Sequence, residues 1–209
     1  MVITDIKRKG KSETYHVWVN DEYFALLEAE IIYKNKLKIG TEIEESKLNL
    51  IKKESDKLLC ASTALNYISK SIKSEFQLKQ YLKGKNFCEE AINEAIFKLK
   101  TYGYLNDEYF AKISANELSR TKGKRYIKNQ LALKGISDDK IQNVLENLEG
   151  EDEACFNATK KWLRGKTLPL DNNSKQKLYR FLLSRGFEYG TIKKSLNKFN
   201  EEIDDNDWY

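Results

Sequence analysis

The sequence predicts a mostly α-helical protein: three tandem three-helix repeats preceded by a small N-terminal segment of β-meander and short helix. The first observation is a six-column apolar pattern written three times, as Leu78, Leu82, Phe87, Ile92, Ile96 and Leu99, then Ile127, Leu131, Ile136, Ile141, Leu145 and Leu148, then Leu178, Leu182, Phe187, Ile192, Leu196 and Phe199. One module of this size cannot hide its apolar stripe alone, so such modules are used in tandem and build extended binding surfaces. The second is that 209 residues contain a single proline, Pro169, as a largely helical chain requires. The third is a change of style in the first fifty residues, where β-branched and aromatic residues cluster in short runs.

Taken in order, Val2 to Lys9, Tyr15 to Val19 and Tyr23 to Leu27 read as three strands, broken at Gly10-Lys11-Ser12 and at Asn20-Asp21. Glu28 to Asn35 reads as a short helix, and Ile39-Gly40 turns the chain toward a longer charged helix from about Glu44. A small sheet is marginal alone and is expected to pack on that helix. The resulting division is 1–53 for the β-containing segment and the start of the connecting helix, 54–105, 106–150 and 151–200 for the repeats, and 201–209 for an acidic tail.

Within each repeat the first helix is read from Cys60 to Ile68, Tyr109 to Leu118 and Ala154 to Trp162. The second begins at the column Ser74, Gly123 and Ser174, an N-cap column in which Ser74 and Gln77 form a capping box. In the first repeat it spans about 75 to 85. It stops at Asn86, Gly135 and Gly186, where a left-handed residue lets Phe87, Ile136 and Phe187 fold back on Leu82, Leu131 and Leu182. The third starts at acids that suit the helix dipole, such as Glu89-Glu90 and Asp138-Asp139. The third repeat has a longer connection, from Arg164-Gly165-Lys166 to Asn172-Asn173-Ser174, that contains Pro169.

Composition narrows the function. No apolar run approaches the roughly 20 residues of a membrane span, and the start lacks the layout of a signal peptide, so the cytoplasm is expected; the protein is also read as a monomer. Cys60, Cys88 and Cys155 are far apart, odd in number and without metal-type spacing, and read as reduced, mostly buried core residues. The single histidine, His16, has no partner for general-base work and reads as a strand residue facing solvent or a neighbouring strand. Phosphate-cradling loops and nucleophile elbows are absent, so no catalytic residue, metal or cofactor is expected and the protein reads as a non-enzyme.

What remains is charge. The balance of 37 basic to 32 acidic residues is mild, but Arg120, Lys122, Lys124, Arg125 and Lys128 form a run without an acid. That run straddles a predicted helix start, where backbone N–H groups beside Gly123 could hold phosphates or a carboxylate-rich surface; the plainer reading is a solvated loop. Lys73 and Lys79, and Lys175, Lys177 and Arg180, surround the equivalent helix in the other repeats. The column Lys85, Lys134 and Arg185 is basic throughout, which a helix C-terminus alone explains through its dipole. The tail from Glu201 to Asp207 reverses the sign and reads as a solubiliser or a competitor for a basic groove; Trp208 and Tyr209 have no such explanation.

Gly103-Tyr104-Leu105-Asn106-Asp107-Glu108-Tyr109-Phe110-Ala111, then Lys122-Gly123 with Ile127, Leu131 and Lys134-Gly135-Ile136, then Phe181-Leu182 with Arg185-Gly186-Phe187, resemble the signatures of the RecX family of recombinase regulators. Lys73-Ser74-Glu75 with Leu78 resembles the family's opening motif, with lysine for arginine. The resemblance covers about 60 to 200, and the N-terminal segment is similar, less specifically, to an extension of some members. Asp107 and Phe110 within these motifs read as capping and core residues.

The resemblance implies tandem three-helix modules that bind the RecA nucleoprotein filament and restrain its ATP hydrolysis, strand exchange and co-protease activity in DNA repair. The module array would lie in the filament groove, contacting several RecA subunits and single- or double-stranded DNA through many weak contacts, with the basic run as the candidate surface. The alternative is a sequence-nonspecific nucleic-acid-binding helical repeat protein without a RecA partner.

Overall fold

The structure is a computed structural model that describes residues 1–166 and 170–206, with side chains through Phe199. Pro169, Trp208 and Tyr209 lie outside the described residues, as do the side chains of the acidic tail. The chain forms two compact units, Met1–Leu105 and Asn106–Tyr209.

The first unit begins with an antiparallel meander of β1 (Ile3–Arg8), β2 (Thr14–Val19) and β3 (Glu22–Glu28), in that spatial order. Asn20 and Asp21 join β2 to β3 with φ of 49° and 65°, the paired left-handed residues of a turn that matches strand twist. Strand alternation sends Val17, Val19, Ala25 and Leu27 to one face, where with Ile3 they meet Ile31 of α1 (Ala29–Lys34) and Leu48 and Ile51 of α2 (Glu45–Ile68). Ser55, fully buried on α2, accepts the Glu28 N–H at 2.8 Å and stitches sheet to helix.

The connecting helix and the first helix of repeat 1 are one uninterrupted helix, α2, of 24 residues. Its later residues Cys60 and Ala64 share a second core with Leu78 and Leu82 of α3 (Glu75–Lys83) and Ile92, Ile96 and Leu99 of α4 (Glu89–Thr101). The capping box is present, with Ser74 Oγ accepting the Gln77 N–H and Gln77 Oε1 accepting the Ser74 N–H. Lys57 joins α2 to α4 through Glu90 at 2.9 Å and Glu94 at 3.0 Å, with Lys53 and Lys98 adding to the network.

The second unit holds the other two repeats: α5 (Asp107–Ser119), α6 (Lys124–Leu133) and α7 (Asp138–Glu146), then α8 (Glu151–Leu163), α9 (Asn172–Ser184) and α10 (Tyr189–Asn206). All three repeats carry the same helix stop. Asn86, Gly135 and Gly186 are left-handed, and the next residue donates its N–H five residues back, Phe87 to Leu82, Ile136 to Leu131 and Phe187 to Leu182.

Four readings of the sequence are corrected. Ser174 is not the cap of α9; Asp171 is, accepting the Ser174 N–H at 3.0 Å, because an aspartate was available one turn earlier. Asn106 caps α5 through the N–H groups of Glu108 and Tyr109, and Asp107 is the first helical residue, while Phe110 does enter the core. Cys88 is exposed, as the residue before α4, whereas Cys60 and Cys155 are buried and burial pushes both thiols up to about 11. The helix α10 continues past residue 200, so the acidic segment begins inside a helix.

Two glycines fix how repeats 2 and 3 meet. The Gly123 N–H donates to Arg185 O at 3.0 Å. A Cβ on Gly123 would stand 2.3 Å from Gly186 O, and one on Gly186 would stand 2.3 Å from Tyr126 N. Neither backbone can retreat without opening the junction. Gly186→Ala should therefore lower stability by roughly 3 kcal/mol or more, combining a strained φ with a steric clash. Gly103→Ala, also left-handed but with open space at its Cβ, should lose only about 1–2 kcal/mol. Equal losses in thermal unfolding would refute the junction's role.

The α2–α4 network sets an acid dependence. Hydrogen bonds from Lys57 and then Lys53 hold the Glu90 carboxyl below its ordinary 4.5, and those from Lys98 and then Lys57 do the same for Glu94. Depressed carboxylates stabilise above the unfolded value and lose that contribution as pH falls through the folded one. Burial raises Asp56, which opposes this trend. Lys57→Met should flatten the decline of stability below pH 4.5; an unchanged slope in denaturant titrations across that range would contradict the network.

Candidate functional site

The basic residues divide into those the fold employs and those it leaves open. In repeat 1, Lys79 lies 3.3 Å from Glu89 at the start of α4, which Lys83 also approaches at 3.8 Å. Tyr67 and Tyr81 stack at 3.9 Å and 7°, with the Lys73 ammonium 5.2 Å from the Tyr67 ring and that of Lys85 5.6 Å from the Tyr81 ring. Such cation–ring contacts stabilise by about 0.5–1 kcal/mol each at exposed sites. Lys73, Lys79, Lys83 and Lys85 are thus each partnered within their own unit.

In repeats 2 and 3 the start of α6 differs from expectation. The Lys124 N–H donates to Glu151 Oε1 at 2.8 Å, and Gly123 gives its N–H to Arg185 O. A carboxylate from α8 and a carbonyl from the end of α9 already occupy the groups expected to receive a phosphate. Arg125 donates from its guanidinium to Leu183 O at 2.9 Å, and Arg185 donates to Thr121 O at 3.2 Å while lying 4.6 Å from the Phe181 ring. Both arginines thus clamp the carbonyls of one repeat to the other. Nothing in the linear pattern pairs residue 125 with 183. The one available signal was Gly123 itself, a cap residue without a side chain where repeat 1 has a serine.

The side chains left over are Arg120 at the end of α5, Lys122, Lys124 and Lys128 around the start of α6, and Lys175, Lys177 and Arg180 on α9. Among the described residues none of these seven forms an ion pair. Lys122 places its ammonium 4.4 Å from the Tyr126 ring. Lys175 and Arg180 border a shallow hollow of about 330 Å³ with Tyr179 and Leu196. Lys134 is half-buried at the C-terminus of α6, where the helix dipole favours a cation. Residues 106–200 contain 19 basic and 12 acidic side chains, a net excess of positive charge, although Asp171 lies within electrostatic reach of Lys177.

His16 lies in β2 against Trp18 and Tyr23. Among the described residues no group of histidine, cysteine, aspartate and glutamate is placed to hold a metal ion, and no helix is long and apolar enough to cross a membrane. The arrangement is a set of cations without ion pairs, among the described residues, around a tightly packed helical junction, suited to binding an anionic partner by many contacts.

Comparison with known proteins agrees with this architecture. Residues 60–99 match the RecX first three-helix domain, and residues 149–196 match the RecX third three-helix domain. The regulatory protein RecX of Clostridium perfringens strain 13 is 35% identical over 192 residues, covering 90% of this chain and 91% of its own. That of Clostridium beijerinckii is 32% identical over 202 residues, covering 95% and 94%. Among solved structures, a crystal structure of regulatory protein RecX superposes with a TM-score of 0.65 at 22% identity, covering 92% of this chain and 98% of that one. The structure of RecX from Lactobacillus salivarius gives 0.63 at 25% identity, covering 69% and 97%. With relatives this similar along nearly the whole of both chains, the chain belongs to the RecX family of regulatory proteins.

Proposed function

We propose that this protein binds the RecA–DNA filament and restrains its ATPase, strand-exchange and co-protease activities, acting as a cytoplasmic, non-enzymatic monomer. The observation that carries the reading is a difference in ion pairing: in repeat 1 Lys57, Lys79, Lys83 and Lys98 pair with glutamates, whereas Arg120, Lys122, Lys124 and Lys128 and the α9 group are exposed or half-buried without an ion pair among the described residues. Cations held open on a rigid scaffold are available to carboxylates of a protein partner or to phosphates of the DNA it coats. Several such contacts on repeating partner subunits act together, so each can be weak.

The second reading, a nucleic-acid-binding repeat protein without RecA, draws on the same cations and separates by salt. Phosphate-driven binding alone weakens steeply as salt rises and needs no recombinase.

Titrating the protein into RecA on single-stranded DNA should inhibit ATP hydrolysis below one protein per RecA. The variant with Arg120, Lys122, Lys124 and Lys128 changed to alanine should need about tenfold more protein, since each exposed charge contributes a few tenths of a kcal/mol. Arg125→Ala and Arg185→Ala should instead lower the thermal midpoint, because each removes a junction hydrogen bond. Inhibition that is absent, alongside full binding to DNA alone, would favour the second reading.

A further inference from the structure

The N-terminal sheet has a second face that the core does not use. Val17 and Val19 point inward, so His16 and Trp18 of β2 point outward, and the register irregularity after Val17 brings Tyr23 of β3 opposite Trp18. The three rings form a triangle, with centroids 6.0 Å apart for His16 and Trp18, 5.7 Å for His16 and Tyr23 and 5.8 Å for Trp18 and Tyr23. Tyr23 is 56% exposed, and His16 and Trp18 are half-buried. The inner face alone closes the core over α1 and α2, and the ring contacts on the outer face, which support strand pairing, still leave Tyr23 largely exposed.

Cations border the rings. Lys7, opposite His16 on β1, sets its ammonium 5.2 Å from the Trp18 ring and is tethered by Asp5. Toward the β1–β2 turn, Arg8, Lys9 and Lys11 are exposed, and Lys9 and Lys11 form no ion pair among the described residues. A partner apolar protein surface would call for exposed aliphatic residues, and Leu26 is the one aliphatic side chain the register sets beside these rings. Aromatic faces at one end of the sheet, with Lys7 over a ring and open lysines further along the same strand at the β1–β2 turn, match a different chemistry, that of an extended polyanion whose flat bases stack and whose phosphates need cations.

We propose that the outer face of the N-terminal sheet binds single-stranded nucleic acid, with unpaired bases stacking on Trp18 and Tyr23 and the phosphates running past Lys9 and Lys11. A duplex hides its base faces inside the stack and presents only base edges and backbone, so rings that need a base face to stack on select single strands. This contact requires no recombinase and uses none of the repeat cations, so it stands or falls separately from the filament reading.

The full-length protein is titrated against labelled oligothymidylate and against a duplex of equal length, followed by anisotropy. Trp18→Ala combined with Tyr23→Ala should weaken oligothymidylate binding roughly tenfold or more, the range for losing stacking on two rings, and change duplex binding by less than about twofold. Trp18→Phe keeps a ring and should retain affinity within about threefold. In a protein with Trp162→Phe and Trp208→Phe, leaving Trp18 as the only tryptophan, the strand should quench emission. Unchanged emission, unchanged oligothymidylate affinity in the double variant, or equal weakening toward strand and duplex would each overturn the proposal.

Discussion

Every repeat depends on reversing the chain within three residues, and the left-handed stop at Asn86, Gly135 and Gly186 does this. The bond from the following N–H to a carbonyl five residues back satisfies one of the last helical carbonyls and swings an apolar side chain over the end of the helix. Without it, the third helix of the repeat would leave in the wrong direction and the six apolar columns would not converge. Gly186 carries a second duty, because its backbone is also the surface against which Gly123 and Tyr126 pack. The repeat-forming constraint and the repeat-joining constraint thus fall on one residue, which only glycine satisfies.

Charge is distributed around that frame in two different ways. In the first unit, lysines pair with glutamates across helices, as Lys57 does between α2 and α4, or cover tyrosine rings. In the second, two arginines are drawn into the junction and donate to carbonyls, where a planar guanidinium reaches a carbonyl that an ammonium would satisfy less well. What remains around α6 and on α9 is a set of lysines and arginines without ion pairs among the described residues.

Most of this was legible in the residues. Periodicity located the helices, the capping box of Ser74 and Gln77 and the glycine column located their ends, and the β-branched runs located three strands, because each of these signals acts within a few residues. Legibility failed where a competing residue, near or far, took the expected role. Asp171 displaced Ser174 as a cap because it lay one turn earlier, a choice the column alignment conceals. Arg125 and Arg185, read as part of an open basic surface, are engaged by Leu183 and Thr121, about sixty residues away. The helix start at Gly123, read as an open anion site, is closed by Glu151 and Arg185. Such contacts leave no periodic trace.

The unbroken α2 has a mechanical meaning. At about 1.5 Å per residue it is a rod on the order of 36 Å long, with Leu48 and Ile51 at one end in the core beneath the sheet and Cys60 and Ala64 at the other in the core of repeat 1. Fraying of either core leaves unsupported one end of the helix on which the other core is built. An N-terminal truncation is therefore never a clean removal of an accessory segment. It shortens the beam on which the first repeat is built.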